Sequence, residues 1–138
     1  MDLAKLTVDE YTTPNPIFVE PNVKLPAIWK LMKEKGIRHV LVEENNGKVL
    51  GILSERDLTT FSQSQDFEKI EAQDIMSTNL LTVTPETRLY EVALEMSKSK
   101  FGSTLVMNTD NTYMGIFTAT DALNALVEIL RGDLEDKD

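Results

Sequence analysis

Two stretches decide the fold: Gly51-Ile52-Leu53-Ser54-Glu55-Arg56-Asp57 and, 64 positions later, Gly115-Ile116-Phe117-Thr118-Ala119-Thr120-Asp121. Both read glycine, isoleucine, apolar residue, hydroxyl, two variable residues, aspartate. Working outward, Glu10 to Leu58 aligns without a gap on Asp74 to Ala122. Identities recur at Asn15/Asn79, Val19/Val83, Pro21/Pro85, Leu25/Leu89, Met32/Met96, Leu41/Leu105 and Val42/Val106. Self-similarity at a fixed period means one supersecondary unit built twice. A unit of about sixty residues buries only about 60% of its chain surface by itself. The two copies are therefore expected to share a core or an interface.

Each copy reads strand, helix, strand, strand, helix, which sets an α+β class. Ile17-Phe18-Val19 and Leu81-Thr82-Val83 are short β-rich runs, each stopped by a proline two residues on. Leu25, Ile28, Trp29 and Met32 follow helical spacing, as do Leu89, Val92, Ala93 and Met96. Pro26 suits a first helical turn and Gly36 a helix end. Strands are predicted over Val40 to Glu43 and Val49 to Leu53, joined through Asn46-Gly47, a pair that tolerates positive φ. A second helix is predicted after Ser54 and again after Thr118. Phe67 to Met76 reads as a partly helical connection. The boundaries follow: a first repeat over 8–64, a linker over 65–71, a second repeat over 72–130 and an acidic tail over 131–138.

Composition removes several function classes. The net charge of −9 opposes general nucleic-acid binding, which needs a basic face. No run of eighteen apolar residues occurs, so no membrane span is expected. The first residues lack the apolar core of a signal peptide and cysteine is absent, which fits a cytoplasmic protein. One histidine, no cysteine and no H-E-x-x-H leave no convincing metal-ligand set. There is no G-x-x-x-x-G-K-[ST], no G-x-G-x-x-G and no nucleophile with a visible base, so the chain is not read as an enzyme.

The repeated motif carries the chemistry. Its glycine lets a neighbouring group approach the backbone closely. Its hydroxyl, Ser54 or Thr118, sits at a helix N-cap beside unpaired N–H groups that can hold an anion. Its aspartate, Asp57 or Asp121, is an acceptor able to bridge two vicinal hydroxyls. The same spacing also matches a capping box, in which the carboxylate folds back onto its own helix start. For either motif taken alone the capping box is the simpler explanation. The recurrence of the glycine lead-in in both copies favours a ligand role.

With these motifs, the lead-ins Thr13-Pro14-Asn15-Pro16-Ile17 and Ser77-Thr78-Asn79-Leu80-Leu81, and Ile37-Arg38-His39-Val40-Leu41-Val42, the chain resembles a CBS-domain pair, or Bateman module, over about residues 8 to 130. The resemblance implies two tandem β-α-β-β-α repeats packed as a pseudo-twofold pair through their sheets. It also implies an adenosine-containing ligand (AMP, ADP, ATP or an S-adenosyl compound) in the clefts between them. Asp57 and Asp121 would hold ribose hydroxyls, with Ser54 and Thr118 facing ribose or phosphate. Thr13, Asn15, Ile17, Ser77, Asn79 and Leu81 would meet the base, largely through backbone. No cofactor is required, and magnesium would enter only with a nucleotide. Members of the family pair through exposed helix faces, so a homodimer is expected. Ile28, Trp29 and the stripe Leu123, Leu126 and Val127 are the candidate contacts.

The copies differ in charge. Arg38, His39 and Arg56 of the first align with Gly102, Ser103 and Thr120 of the second. The basic trio is expected to meet any phosphate. Arg38 and Arg56 as solvated surface, or paired with Glu34 or Glu55, is the plainer alternative. The chain reads as a regulatory ligand sensor whose output passes by conformational shift to an unidentified downstream protein. A protein–protein scaffold with empty clefts is the alternative, favoured if both aspartates turn onto their own helices and the clefts are sealed.

Overall fold

The computed structural model describes residues 2–14 and 17–132. Asn15 and most of the acidic tail lie outside the described residues. In chain order the elements are β1 (Thr13–Pro14), β2 (Phe18–Val19), α1 (Leu25–Lys35), β3 (His39–Glu43), β4 (Val49–Ser54), α2 (Glu55–Phe61), α3 (Ala72–Ile75), β5 (Leu81–Val83), α4 (Leu89–Ser99), β6 (Ser103–Met107), β7 (Tyr113–Thr118) and α5 (Ala119–Arg131). Short 3-10 turns lie at Leu3–Lys5, Val8–Glu10 and Phe67–Lys69. The elements form two compact units, Pro16–Asn79, and Met1–Asn15 together with Leu80–Asp138.

In the Pro16–Asn79 unit, β2 runs parallel to β3 and β3 antiparallel to β4. The α1 stripe Leu25, Ile28 and Met32 packs on Val40, Val42 and Leu53 of the strands, with Leu58 and Ala72 completing the core. Ile28 is wholly buried there, so it is withdrawn as a contact for a second copy. Gly36 ends α1 at φ +65, the left-handed conformation that glycine adopts without a Cβ clash. The Asn46-Gly47 turn closes the hairpin with Gly47 at φ +86.

The other unit repeats this plan and adds an edge strand. Its sheet order is β1-β7-β6-β5, with only the β5–β6 pair parallel. Leu89, Val92 and Met96 of α4 pack on Val106 and Phe117, with Ala125 of α5 and Leu6 and Val8 of the lead-in. Both hairpins carry a register shift at the same place, Val42/Glu43 and Val106/Met107.

The structural repeat reaches further back than the aligned sequence. Leu89 N–H donates to the Leu6 carbonyl at 2.8 Å, and Leu25 N–H donates to the Ile70 carbonyl at 3.0 Å. Bridges Thr7↔Arg88 and Lys24↔Glu71 sit at matching positions. Each helix start has unpaired donors, and in each unit the lead-in of the other repeat supplies the acceptor. The lead-in from Leu6 to Thr13 thus packs with the second repeat, and the connection from Phe67 to Ser77 with the first.

One core position is chemically mismatched. Thr104 stands where the first repeat has Val40, is 1% exposed, and its hydroxyl has no hydrogen-bond partner among the described residues. A buried unsatisfied hydroxyl costs about 1–3 kcal/mol. Thr104→Val is expected to raise stability by about 1 kcal/mol, read as a higher denaturant midpoint at unchanged slope. A lower midpoint would mean that the hydroxyl is satisfied.

Candidate functional site

Each motif lies where a strand turns into a helix. Ser54 leaves β4 at φ −110, ψ 160, and Thr118 leaves β7 at φ −110, ψ 169. This extended geometry aims each hydroxyl at the first turn of the following helix. Asp57 N–H donates to Ser54 Oγ at 3.2 Å and Ser54 N–H to Asp57 Oδ2 at 2.8 Å. Asp121 N–H donates to Thr118 Oγ1 at 3.3 Å and Thr118 N–H to Asp121 Oδ2 at 2.9 Å. Both aspartates therefore turn onto their own helix starts, as the capping alternative expects.

A carboxylate has more acceptor capacity than one cap uses, and here the two copies part. Asp57 Oδ1 receives no hydrogen bond among the described residues. Asp121 Oδ1 accepts from Thr13 Oγ1 at 3.2 Å, and Oδ2 takes a further bond from Thr118 Oγ1 at 3.1 Å. Both carboxylates are half-buried. Asp57 keeps one oxygen uncommitted, whereas Asp121 is tied on both.

The motif glycines admit backbone. A Cβ on Gly115 would lie 2.3 Å from the Thr13 carbonyl oxygen and 2.7 Å from Thr12 Cγ2. A Cβ on Gly51 would lie 2.7 Å from Met76 Sδ and 2.8 Å from the Ser77 carbonyl oxygen. Thr13 pairs with Ile116 in the β1–β7 ladder, and Ser77 exchanges two backbone bonds with Ile52, at 2.9 and 3.0 Å. The close approach expected at these glycines is thus made by the chain's own lead-ins.

The remaining site residues fall into two groups. Around the β4–α2 junction, His39 lies opposite Ser54, and the Arg38 carbonyl accepts the Glu55 N–H at 2.8 Å. Arg56 sits exposed on the first turn of α2, and Arg38 is exposed just before β3. Glu34 lies 3.9 Å from Lys30 Nζ, an ion pair within α1. The Ile17 carbonyl accepts the Leu41 N–H at 2.9 Å, and Asn79 is exposed at the end of this unit. The β7–α5 junction gathers Thr13, Thr118 and Asp121, while Leu81 lies opposite Thr104 in the β5–β6 pair.

The Thr13–Asp121 hydrogen bond spans 108 positions, and motif spacing alone does not signal it. The signal that finds it is the repeat extended back to Leu3/Phe67 and Leu6/Ile70, which attaches each lead-in to the neighbouring copy's strand. Beside Thr12, the Tyr11 phenol is pushed up to about 12 by burial first, then by its hydrogen bond to Glu128 and the carboxylates of Glu128 and Glu10.

Among the described residues no helix is long and apolar enough to cross a membrane, and no cluster of three His, Cys, Asp or Glu side chains could hold a metal ion. A family model described as the CBS domain matches residues 8–64 and 72–128. The chain is 29% identical to a putative acetoin utilization protein, AcuB, from Vibrio cholerae, with a TM-score of 0.79 over 95% of this chain and 98% of that one. It is 25% identical to CBSX2 solved in complex with AMP, with a TM-score of 0.73 over 91% of this chain and 99% of that one. An uncharacterized protein of Methanocaldococcus jannaschii is 28% identical over 88% of this chain, which spans 44% of that protein's length. Across the first three curated relatives the share of their length spanned runs from 25% to 74%.

Proposed function

The chain belongs to the CBS-domain family, and from that membership we propose that it is a regulatory module that binds an adenosine-containing ligand. AMP, ADP, ATP and S-adenosyl compounds are the class. The observation that supports this most directly is the β4–α2 junction. There the half-buried Asp57 caps its helix with Oδ2 while Oδ1 takes no hydrogen bond among the described residues. Such an oxygen suits one or both hydroxyls of a ribose. Arg38, His39 and Arg56 belong to the same unit and would bring positive charge to a phosphate. The AMP complex of CBSX2 supports the ligand class.

In this reading the module is non-catalytic and cytoplasmic. Ligand binding favours one arrangement of the chain, or of a homodimer, over another. The resulting bias, about 1–3 kcal/mol for typical couplings, is passed to a downstream protein. Magnesium enters only as a companion of nucleotide phosphates.

The two capping boxes favour a second reading, a scaffold in which both aspartates serve only their helices. Thermal denaturation with AMP, ADP, ATP, S-adenosylmethionine, NAD and cyclic di-adenylate separates the two. A ligand at a hundred times its Kd adds about 2.7 kcal/mol to the folded state, so a bound compound lifts the melting temperature by several degrees. A flat response to all six compounds would favour the scaffold.

A further inference from the structure

The lead-in of the second repeat does something at its junction that the lead-in of the first does not. The Thr13 hydroxyl straddles the Asp121 carboxylate, 3.2 Å from Oδ1 and 3.4 Å from Oδ2. A ribose hydroxyl gripped by Asp121 would need that same place. The segment is held there from a second point. The Tyr11 phenol donates to the Glu128 carboxylate, which lies about two turns beyond Asp121 on α5. Tyr11 also packs against the core of this unit, and Glu128 is half-buried. Burial, then the Glu128 contact, pushes the phenol up to about 12, so it stays a donor through physiological pH.

The first repeat has the hydroxyl without the fastening. Ser77 matches Thr13, and its side chain makes no hydrogen bond among the described residues. Ile75 matches Tyr11 and has nothing to donate. Helix α2 stops at Phe61 after seven residues, whereas α5 runs for thirteen. The position matching Glu128 is Ser64, beyond the end of α2. A lead-in hydroxyl is therefore not enough by itself to occupy the motif carboxylate. What the second repeat adds is the pin from Tyr11 to Glu128, made possible by the longer helix.

Resting on the adenosine-ligand reading above, we propose that Tyr11 to Thr13 is a strap that holds the β7–α5 junction shut against its own ligand. The Thr13 hydroxyl stands in for a hydroxyl of the ligand, and Tyr11 keeps it there. An adenosine ligand enters this junction only when Thr13 lets go of Asp121. The β4–α2 junction has no such gate, since Asp57 Oδ1 takes no hydrogen bond among the described residues. A site whose competent form is only a fraction of the population binds more weakly by that fraction. The Thr13 contact is solvent-exposed, so the strap restrains the site without sealing it. The two junctions then fill in order, first repeat before second, and filling the second frees the lead-in from α5.

Calorimetric titration of the full chain with AMP and with S-adenosylmethionine tests this, beside deuterium exchange of the ligand-free protein. Thr13→Val keeps the shape and the backbone pairing and removes only the hydroxyl. Tyr11→Phe keeps the ring and removes only the pin. The wild type is expected to show a stronger and a weaker site. Each variant is expected to tighten the weaker one about fivefold, the factor that one ordinary hydrogen bond withholds, and to leave the stronger unchanged. Adding Asp57→Asn weakens the stronger site and isolates that gain. Without ligand, the lead-in is expected to exchange faster in both variants than in the wild type. A purely structural contact would lower the melting temperature of both variants without tightening either compound. Binding to the wild type that neither variant improves overturns the strap alone, as does lead-in exchange unchanged in both. Neither compound bound by the wild type or by the variants overturns the strap together with the ligand reading on which it rests.

Discussion

Gly115→Val is expected to destabilise the protein by about 3 kcal/mol or more, a large share of the roughly 5–15 kcal/mol that holds a domain folded. The reason is geometric. The first Cβ alone would sit 2.3 Å from the Thr13 carbonyl oxygen. That oxygen belongs to backbone held in register opposite Ile116, so it cannot swing aside as a side-chain tip can. Relief requires β1 to lift from β7, which also takes Thr13 away from Asp121. Gly51→Ala makes a weaker clash, because its nearest neighbour is the flexible Met76 thioether at 2.7 Å, with the Ser77 carbonyl oxygen at 2.8 Å. Denaturant midpoints are expected to fall in the order wild type, Gly51→Ala, Gly115→Ala, Gly115→Val. Equal midpoints for the last three would mean that the lead-ins do not pack on the motif strands.

These glycines show what was legible in the sequence and what was not. The tandem motif, the helix stripes of Leu25 and Leu89, the Gly36 cap and the Asn46-Gly47 turn all act through neighbours close in the chain. Their spacing therefore reports the β-α-β-β-α plan directly. The requirement for glycine at 51 and 115 was legible as a close approach, but the approaching group was not. Its identity depends on Thr13 and Ser77 crossing to strands of the other repeat, and backbone pairing leaves little trace in residue type. The capping boxes were legible as one of two readings, because Ser-x-x-Asp serves a helix start and a ribose with the same atoms. The contrast between an uncommitted Asp57 oxygen and a doubly engaged Asp121 depends on a hydroxyl 108 positions away, which local spacing does not encode. Trp29 read as a candidate dimer contact, with core packing as the plainer alternative. Its partner Phe67 lies in the connection, and only their packing shows the ring turned inward.

The substitution with the largest expected effect on binding is Asp57→Asn. Asparagine keeps a side-chain oxygen for the Ser54 N–H, so the cap survives and stability should stay within about 0.5 kcal/mol of the wild type. What goes is the charge and one of the two acceptor oxygens. A hydrogen bond to a charged group is worth about 1.5–3 kcal/mol, so affinity should fall ten- to hundredfold. Asp57→Ala removes the cap as well, and adds a loss of about 1 kcal/mol in stability. Asp121→Asn should weaken the ligand less, since Thr13 and Thr118 already occupy that carboxylate. Thermal shift with the strongest ligand of the panel reads all three. If the scaffold reading holds, Asp57→Asn changes nothing in either assay. If a clear ligand shift survives substitution of both aspartates, the ligand sits elsewhere.

The central claim is that a motif carboxylate grips the vicinal hydroxyls of a ribose. Calorimetric titration of the wild type with the adenosine ligand that gives the largest thermal shift, beside its 2′,3′-dideoxy analogue, tests it most directly. Buried polar groups left unpaired by a missing hydroxyl penalise an analogue heavily. The dideoxy compound is predicted to bind at least about a hundredfold more weakly, a difference near 2.7 kcal/mol. Equal affinity for the two compounds would contradict the account.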